Sequence, residues 1–103
     1  MQDTAKEFVR LFESGEFFKA HEVLEKLWFA RRFEKTPEIL LLKGLINASV
    51  SFELNKRNRH TASLRVWQTY EKYKKNLSKI DTEKQIYYKT MVEKVDTLKQ
   101  QKV

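Results

Sequence analysis

Thr36-Pro37-Glu38-Ile39-Leu40-Leu41-Leu42-Lys43-Gly44-Leu45-Ile46-Asn47-Ala48-Ser49-Val50-Ser51-Phe52-Glu53-Leu54 reads as one helix, apolar on nearly every side. Thr36 followed by Pro37 is a start signal, because proline at the first helical position gives up an N–H that has no intrahelical partner anyway. A helix without a polar face is expected at the centre of a bundle, covered by its neighbours. Gly44 in its middle costs about 1 kcal/mol against alanine, and the expected compensation is the close approach of another helix. These residues therefore predict an all-α fold, a compact bundle of about five helices around a central apolar helix at 37–54.

Working outward, a second helix is expected from Phe17 to Arg32, with Ala20, Val23, Leu24, Leu27 and Trp28 inward. Before it, Thr4-Ala5-Lys6-Glu7 has the form of a capping box. It leads into a stripe of Ala5, Phe8, Val9 and Phe12 that ends at Ser14-Gly15. After the central helix, Asn55-Lys56-Arg57-Asn58 is a polar break. A fourth helix over 59–77 then carries Val66, Tyr70, Tyr73 and Leu77, with Ala62 and Trp67 alongside. Asp81-Thr82-Glu83 caps a fifth helix at about 82–100, bearing Tyr87, Met91, Val95 and Leu98. That last helix is more polar than packing requires, and it is expected as an appendage to a four-helix core. No repeat, low-complexity tract or long linker divides the 103 residues, so one domain, 1–103, is expected.

Composition excludes several chemistries. Cysteine is absent, which removes disulfides, thiol nucleophiles and thiolate metal sites, and suits a reducing cytoplasm. The strongly apolar run Ile39 to Leu42 stops at Lys43, far short of a membrane span. The opening Met1 to Glu7 lacks the basic-then-apolar layout of an export signal. A cytoplasmic protein with no membrane partner is the expectation. There is no glycine-rich phosphate loop and no nucleophile elbow, so enzymatic activity is the least favoured reading.

The residues that carry chemistry are His21 and Glu25, four apart on the second helix and at the border of its apolar face with Trp28. Two readings compete. Stacked imidazole and carboxylate groups can project onto one divalent metal, or they can bond each other as a polar lock. Further ligands would have to come from Glu16, Glu22, Glu53 or His60, none of them marked by spacing. Glu22, four before Lys26, also reads as a surface ion pair. Lys43, Asn47 and Ser51 form a polar line on the central helix, expected to face the second helix with Lys43 pairing Glu25.

Residues 15–28, GEFFKAHEVLEKLW, resemble the signature of an uncharacterised bacterial and archaeal family, domain of unknown function 309. The likeness rests on His21, Glu25 and Trp28 after a Gly15-Glu16-aromatic lead-in. It continues through Lys43, Gly44 and Asn47 and, more weakly, Asn58 to Leu64, covering about 12–77 and leaving out the fifth helix. The resemblance implies a helical bundle, a metal-binding role for the motif, and no known reaction. The chain departs from the family pattern where Lys43 and Asn47 replace glutamines, Glu53 replaces a histidine, and Arg57 and Thr61 replace glycines around the Asn58 turn.

The net charge of +7 is concentrated. Residues 56–79 hold eight Lys or Arg against one acid, Glu71, while the remainder is neutral. Three functions follow as expectations. The first is a module binding a divalent metal or a small ligand through His21 and Glu25, with Glu53. The second is an interaction module that binds nucleic acid or an acidic protein through Arg57, Arg59, Arg65 and Lys72, the motif then being structural. The third is a helix-packing protein, including a homodimer.

Overall fold

Two residues outside the right-handed region punctuate the chain, Gly15 at φ 78° and Asn58 at φ 64°. Each closes a helix in the same way. After the first helix, the Glu16 N–H donates to the Leu11 carbonyl at 2.9 Å and the Gly15 N–H to Phe12 at 3.2 Å. After the third, the Arg59 N–H donates to Leu54 at 2.9 Å and the Asn58 N–H to Asn55 at 3.1 Å. Both are paired Schellman bonds, which need a left-handed residue just past the helix; glycine takes it freely and asparagine at modest cost.

The computed structural model describes residues 1–101. It contains α1 (Gln2–Glu13), α2 (Phe17–Ala30), α3 (Pro37–Lys56), α4 (His60–Lys74), a short 3-10 segment (Lys75–Lys79) and α5 (Thr82–Gln101). There is no strand among the described residues, and the fold is an all-α bundle. α3 is its centre, touching α2, α4, α5 and the 3-10 segment. It buries Ile39, Leu41, Leu42, Leu45, Ala48 and Phe52 together with Gly44, Ser49 and Ser51. The Thr36 side chain accepts the Ile39 N–H and Pro37 occupies the first turn, as the start signal requires. A ladder of rings, Phe12, Phe17, Phe52, Trp67 and Tyr70, crosses from α1 to α4 with centroids 4.7 to 6.1 Å apart.

Two expectations about the ends of the bundle change. α1 starts at Gln2 with Met1 at the N-cap and no side-chain cap. The Ala5 N–H is already taken by the Met1 carbonyl at 2.9 Å, so the turn has closed before Thr4 could cap it. α5 is not peripheral to the core, because Tyr88, Met91, Val92 and Val95 lie in the same buried cluster as the other helices. Its N-terminal half is also pinned to α3. The Tyr88 hydroxyl donates to Glu38 Oε2 at 2.8 Å, and Lys84 and Arg31 meet Glu38 Oε1 at 3.3 and 3.2 Å. Burial pulls the Glu38 carboxyl upward, but hydrogen bonds from Tyr88 and Arg31 and the Lys84 charge outweigh it, and the net shift is below the ordinary value.

No described helix is long and apolar enough to cross a membrane.

Candidate functional site

The close approach expected at Gly44 is made by α4. A Cβ built on Gly44 would lie 2.9 Å from the Tyr73 Cβ. Two turns along the chain Ser51, the last of the polar line, faces that same helix. The Ser51 hydroxyl lies 2.8 Å from the Ser63 carbonyl and 3.0 Å from its hydroxyl, while the Ser63 hydroxyl donates to the Ser51 carbonyl at 2.7 Å. Asn47 donates to the Lys43 carbonyl at 2.7 Å. Lys43 is exposed, with its ammonium 5.8 Å from the centre of the Tyr73 ring. The expected Lys43–Glu25 pair therefore does not form. An all-round apolar helix carries no polarity to fix which way it is rotated, and the small residues Gly44 and Ser51 turned this face towards α4.

Glu25 instead meets His21, with 2.6 Å between His21 Nε2 and Glu25 Oε2. An ionised carboxylate can only accept, so Nε2 carries the hydrogen. The other ring nitrogen, Nδ1, is buried and has no hydrogen-bond partner. That is the one such side-chain atom among the described residues. The Phe18 ring packs beside the imidazole at 5.4 Å.

His21 lines a cavity of about 160 Å³ between α2 and α3, shared with Phe17, Phe18, Ser49, Val50, Glu53, Leu54 and Arg57. α2 enters from the Gly15 turn and α3 leaves by the Asn58 turn. Lys56 ties the two together by donating to the Gly15 carbonyl at 3.2 Å. On the cavity rim, Arg57 Nε bonds Glu53 Oε2 at 2.7 Å; the Glu53 side chain is 17% exposed and that of Arg57 64%. A wider groove of about 430 Å³ between α1 and α5, lined by Ala5, Val9, Ile86 and Tyr87 among others, holds no buried polar atom without a partner.

The other expected ligands are dispersed. Glu16 is taken by Lys19 and Ser14, whose hydrogen bonds hold its carboxyl below the usual range. His60 Nδ1 lies 2.6 Å from Asn55 Oδ1 on the exposed side. Glu22 and Lys26 line a different hollow with Glu25 and Phe29, without forming the expected ion pair. Two fully solvated side chains gain little by meeting. Trp28 is half-buried against the core. Among the described residues no group of three or more His, Asp or Glu side chains is gathered as a metal would need. The donor set fits a resident divalent ion poorly: Nε2 is engaged by Glu25, and Glu53 already holds a guanidinium.

Of the expected basic residues, Arg57 turns to Glu53, while Arg59, Arg65 and Lys72 are exposed on or beside α4. Sequence reasoning missed Ser63 and the Glu38 node. A signal for each existed: Ser63, Trp67 and Tyr70 are spaced as one helical face, and Lys84 and Tyr88 are four apart.

Neither the search of curated proteins nor that of solved structures finds a match. A family described as a domain of unknown function (DUF309) matches residues 5–66, beginning earlier and ending sooner than the motifs suggested and stopping short of α5. That match takes in most of α1, all of α2 and α3 and the first half of α4, including every residue lining the α2–α3 cavity, and the chain belongs to the DUF309 family.

Proposed function

We propose that this chain is a helical module that binds a small molecule in the α2–α3 cavity, with Glu25 orienting His21 instead of sharing a metal with it. One observation carries the reading: a buried imidazole nitrogen without a partner beside a cavity. Leaving such an atom unsatisfied costs about 1–3 kcal/mol, and a ligand that bonds it recovers that cost. A carboxylate on the outer nitrogen fixes the tautomer and leaves the inner lone pair free. A cytoplasmic setting belongs to this proposal and is supported by the absence of cysteine.

The test is a titration followed by amide NMR, using n-propylammonium, n-propanol and propionate as probes on wild type and His21→Ala. Saturable shifts at His21, Val50 and Glu53 with at least one probe, lost in His21→Ala, are expected. Silence with all three would defeat the reading. Calorimetry with zinc, manganese and nickel is expected to show no binding that depends on His21, and zinc binding abolished by His21→Ala would restore the metal reading.

A second reading has its own observation. Within 56–79, Lys56, Arg59, Arg65, Lys72, Lys75 and Lys79 have no carboxylate within 4 Å among the described residues. Arg65, Lys72 and Lys75 share the exposed face of α4 and its extension, opposite Ser63, Trp67 and Tyr70. Such a stripe suits a polyanion, nucleic acid above all. Gel retention of RNA or DNA at low salt, falling steeply as salt rises, is the expected result. No retention at low salt would remove the reading.

A further inference from the structure

We propose that the α2–α3 cavity selects a small organic ammonium, a protonated primary amine on a short aliphatic tail; this rests on reading the cavity as a ligand site. The inventory of its polar atoms is one-sided. With the Nε2 hydrogen committed to Glu25, the imidazole form of His21 presents a lone pair at buried Nδ1. Glu53 accepts one bond from Arg57 at 2.7 Å, and a carboxylate has about four acceptor sites. The Ser49 hydroxyl spends its proton on the Leu45 carbonyl at 3.1 Å and keeps only acceptor capacity. Apart from the Arg57 guanidinium on the rim, which already pairs with Glu53, the polar atoms of the cavity walls are acceptors.

Its apolar walls point the same way. The rings of Phe17 and Phe18 line the space, and the face of an aromatic ring attracts a cation. An ammonium brings three donors, one for Nδ1 and one for Glu53, with a third to spare. A hydroxyl brings a single proton; a carboxylate brings none for Nδ1, meets Glu53 with like charge, and finds a cation only in Arg57, already paired with Glu53. About 160 Å³ leaves room for roughly five heavy atoms on a water-sized scale.

Arg57 is the competitor. It stands four residues after Glu53, at the C-cap of α3, with its side chain 64% exposed, and an i,i+4 pair with one partner in solvent contributes little. An incoming ammonium can therefore displace the guanidinium from Glu53 at little cost, and removing Arg57 strengthens binding.

The experiment titrates n-propylammonium, n-propanol and propionate into wild type, Glu53→Gln and Arg57→Gln, following the amides of His21, Val50 and Glu53 (or its replacement). The ammonium is expected to bind most tightly, with affinity falling about tenfold or more in Glu53→Gln through loss of a charge-assisted bond. In Arg57→Gln it is expected to rise about threefold. If n-propanol or propionate binds as well as the ammonium, the cavity remains a ligand site but the ammonium inference is overturned. If no probe binds, both readings fall. Should Glu53→Gln lose its fold, the exposed Arg57→Gln variant decides alone, and an unchanged or weakened ammonium affinity there overturns the inference.

Discussion

The two sides of α3 are built on opposite terms. Towards α4 it presents Gly44 and Ser51. There the backbones approach until a single Cβ would lie 2.9 Å from its neighbour, and the buried Ser51 and Ser63 hydroxyls bond across the interface. Towards α2 it presents Ser49, Val50 and Glu53, and there a cavity remains with one imidazole nitrogen unpartnered. Close packing with satisfied polar groups is what a purely structural contact requires. The α2 side departs from both conditions within one turn of helix, which marks it as the side with capacity to spare.

The contrast can be broken from either side. The largest effect is expected from Gly44→Val, which forces a branched side chain into the Tyr73 contact; a loss of about 3 kcal/mol is expected, read by urea denaturation. A loss below about 1 kcal/mol would mean that α4 can retreat freely and that the interface is not tight. Ser51→Ala is expected to cost about 2 kcal/mol, because Ser63 loses a buried partner. Equal stability to wild type would show the serine bonds to be dispensable.

A pH profile separates these effects from the α3–α5 tie at Glu38. The folded-state carboxyl titrates below its ordinary value of 4.5. Its stabilisation is therefore complete above that pH and is lost as pH falls through the lower folded-state value. Wild type and both α3 variants are expected to share this acid limb, and Tyr88→Phe to lessen it, in thermal melts across the acid range. An unaltered limb in Tyr88→Phe would remove the tyrosine from the account.

The smallest effect is expected on the α2 side. His21→Leu replaces a half-satisfied polar group by an apolar one and leaves Glu25, half exposed, to water. Stability within about 1 kcal/mol of wild type is expected, together with loss of probe binding. A loss as large as that of Ser51→Ala would make the motif a structural lock and erase the difference between the two sides.

The architecture was largely legible because periodicity and helix punctuation are local signals. Pro37, Gly15 and Asn58 mark ends that need particular backbone angles, and the all-apolar run of α3 admits only a central place. Gly44 announced a close neighbour without saying which. Rotation of α3 was beyond reach for the reason that made its position clear: a helix apolar all round has no preferred face, so Lys43 was placed towards Glu25 when it lies over Tyr73. The role of α5 was obscured by its many Lys and Glu residues, which hide the short buried face of Tyr88, Met91, Val92 and Val95. At the site, the His21–Glu25 spacing was plain, but the cavity was not. An empty space between helices, and a ring nitrogen facing inward, depend on how two surfaces meet and leave no mark in either sequence segment.

The Asn58 turn has a consequence for how the chain reaches this state. It joins α3 to α4 through a connection of only three residues, so the tightest interface of the molecule closes a short loop. The contact between α1 and α5 must instead bring together segments from either end of the described chain, at a greater entropic cost. The α3–α4 hairpin is thus the natural nucleus. In stopped-flow measurements Gly44→Val and Ser51→Ala are expected chiefly to slow folding, whereas Met91→Ala in α5 is expected chiefly to hasten unfolding. The reverse pattern would place the nucleus elsewhere.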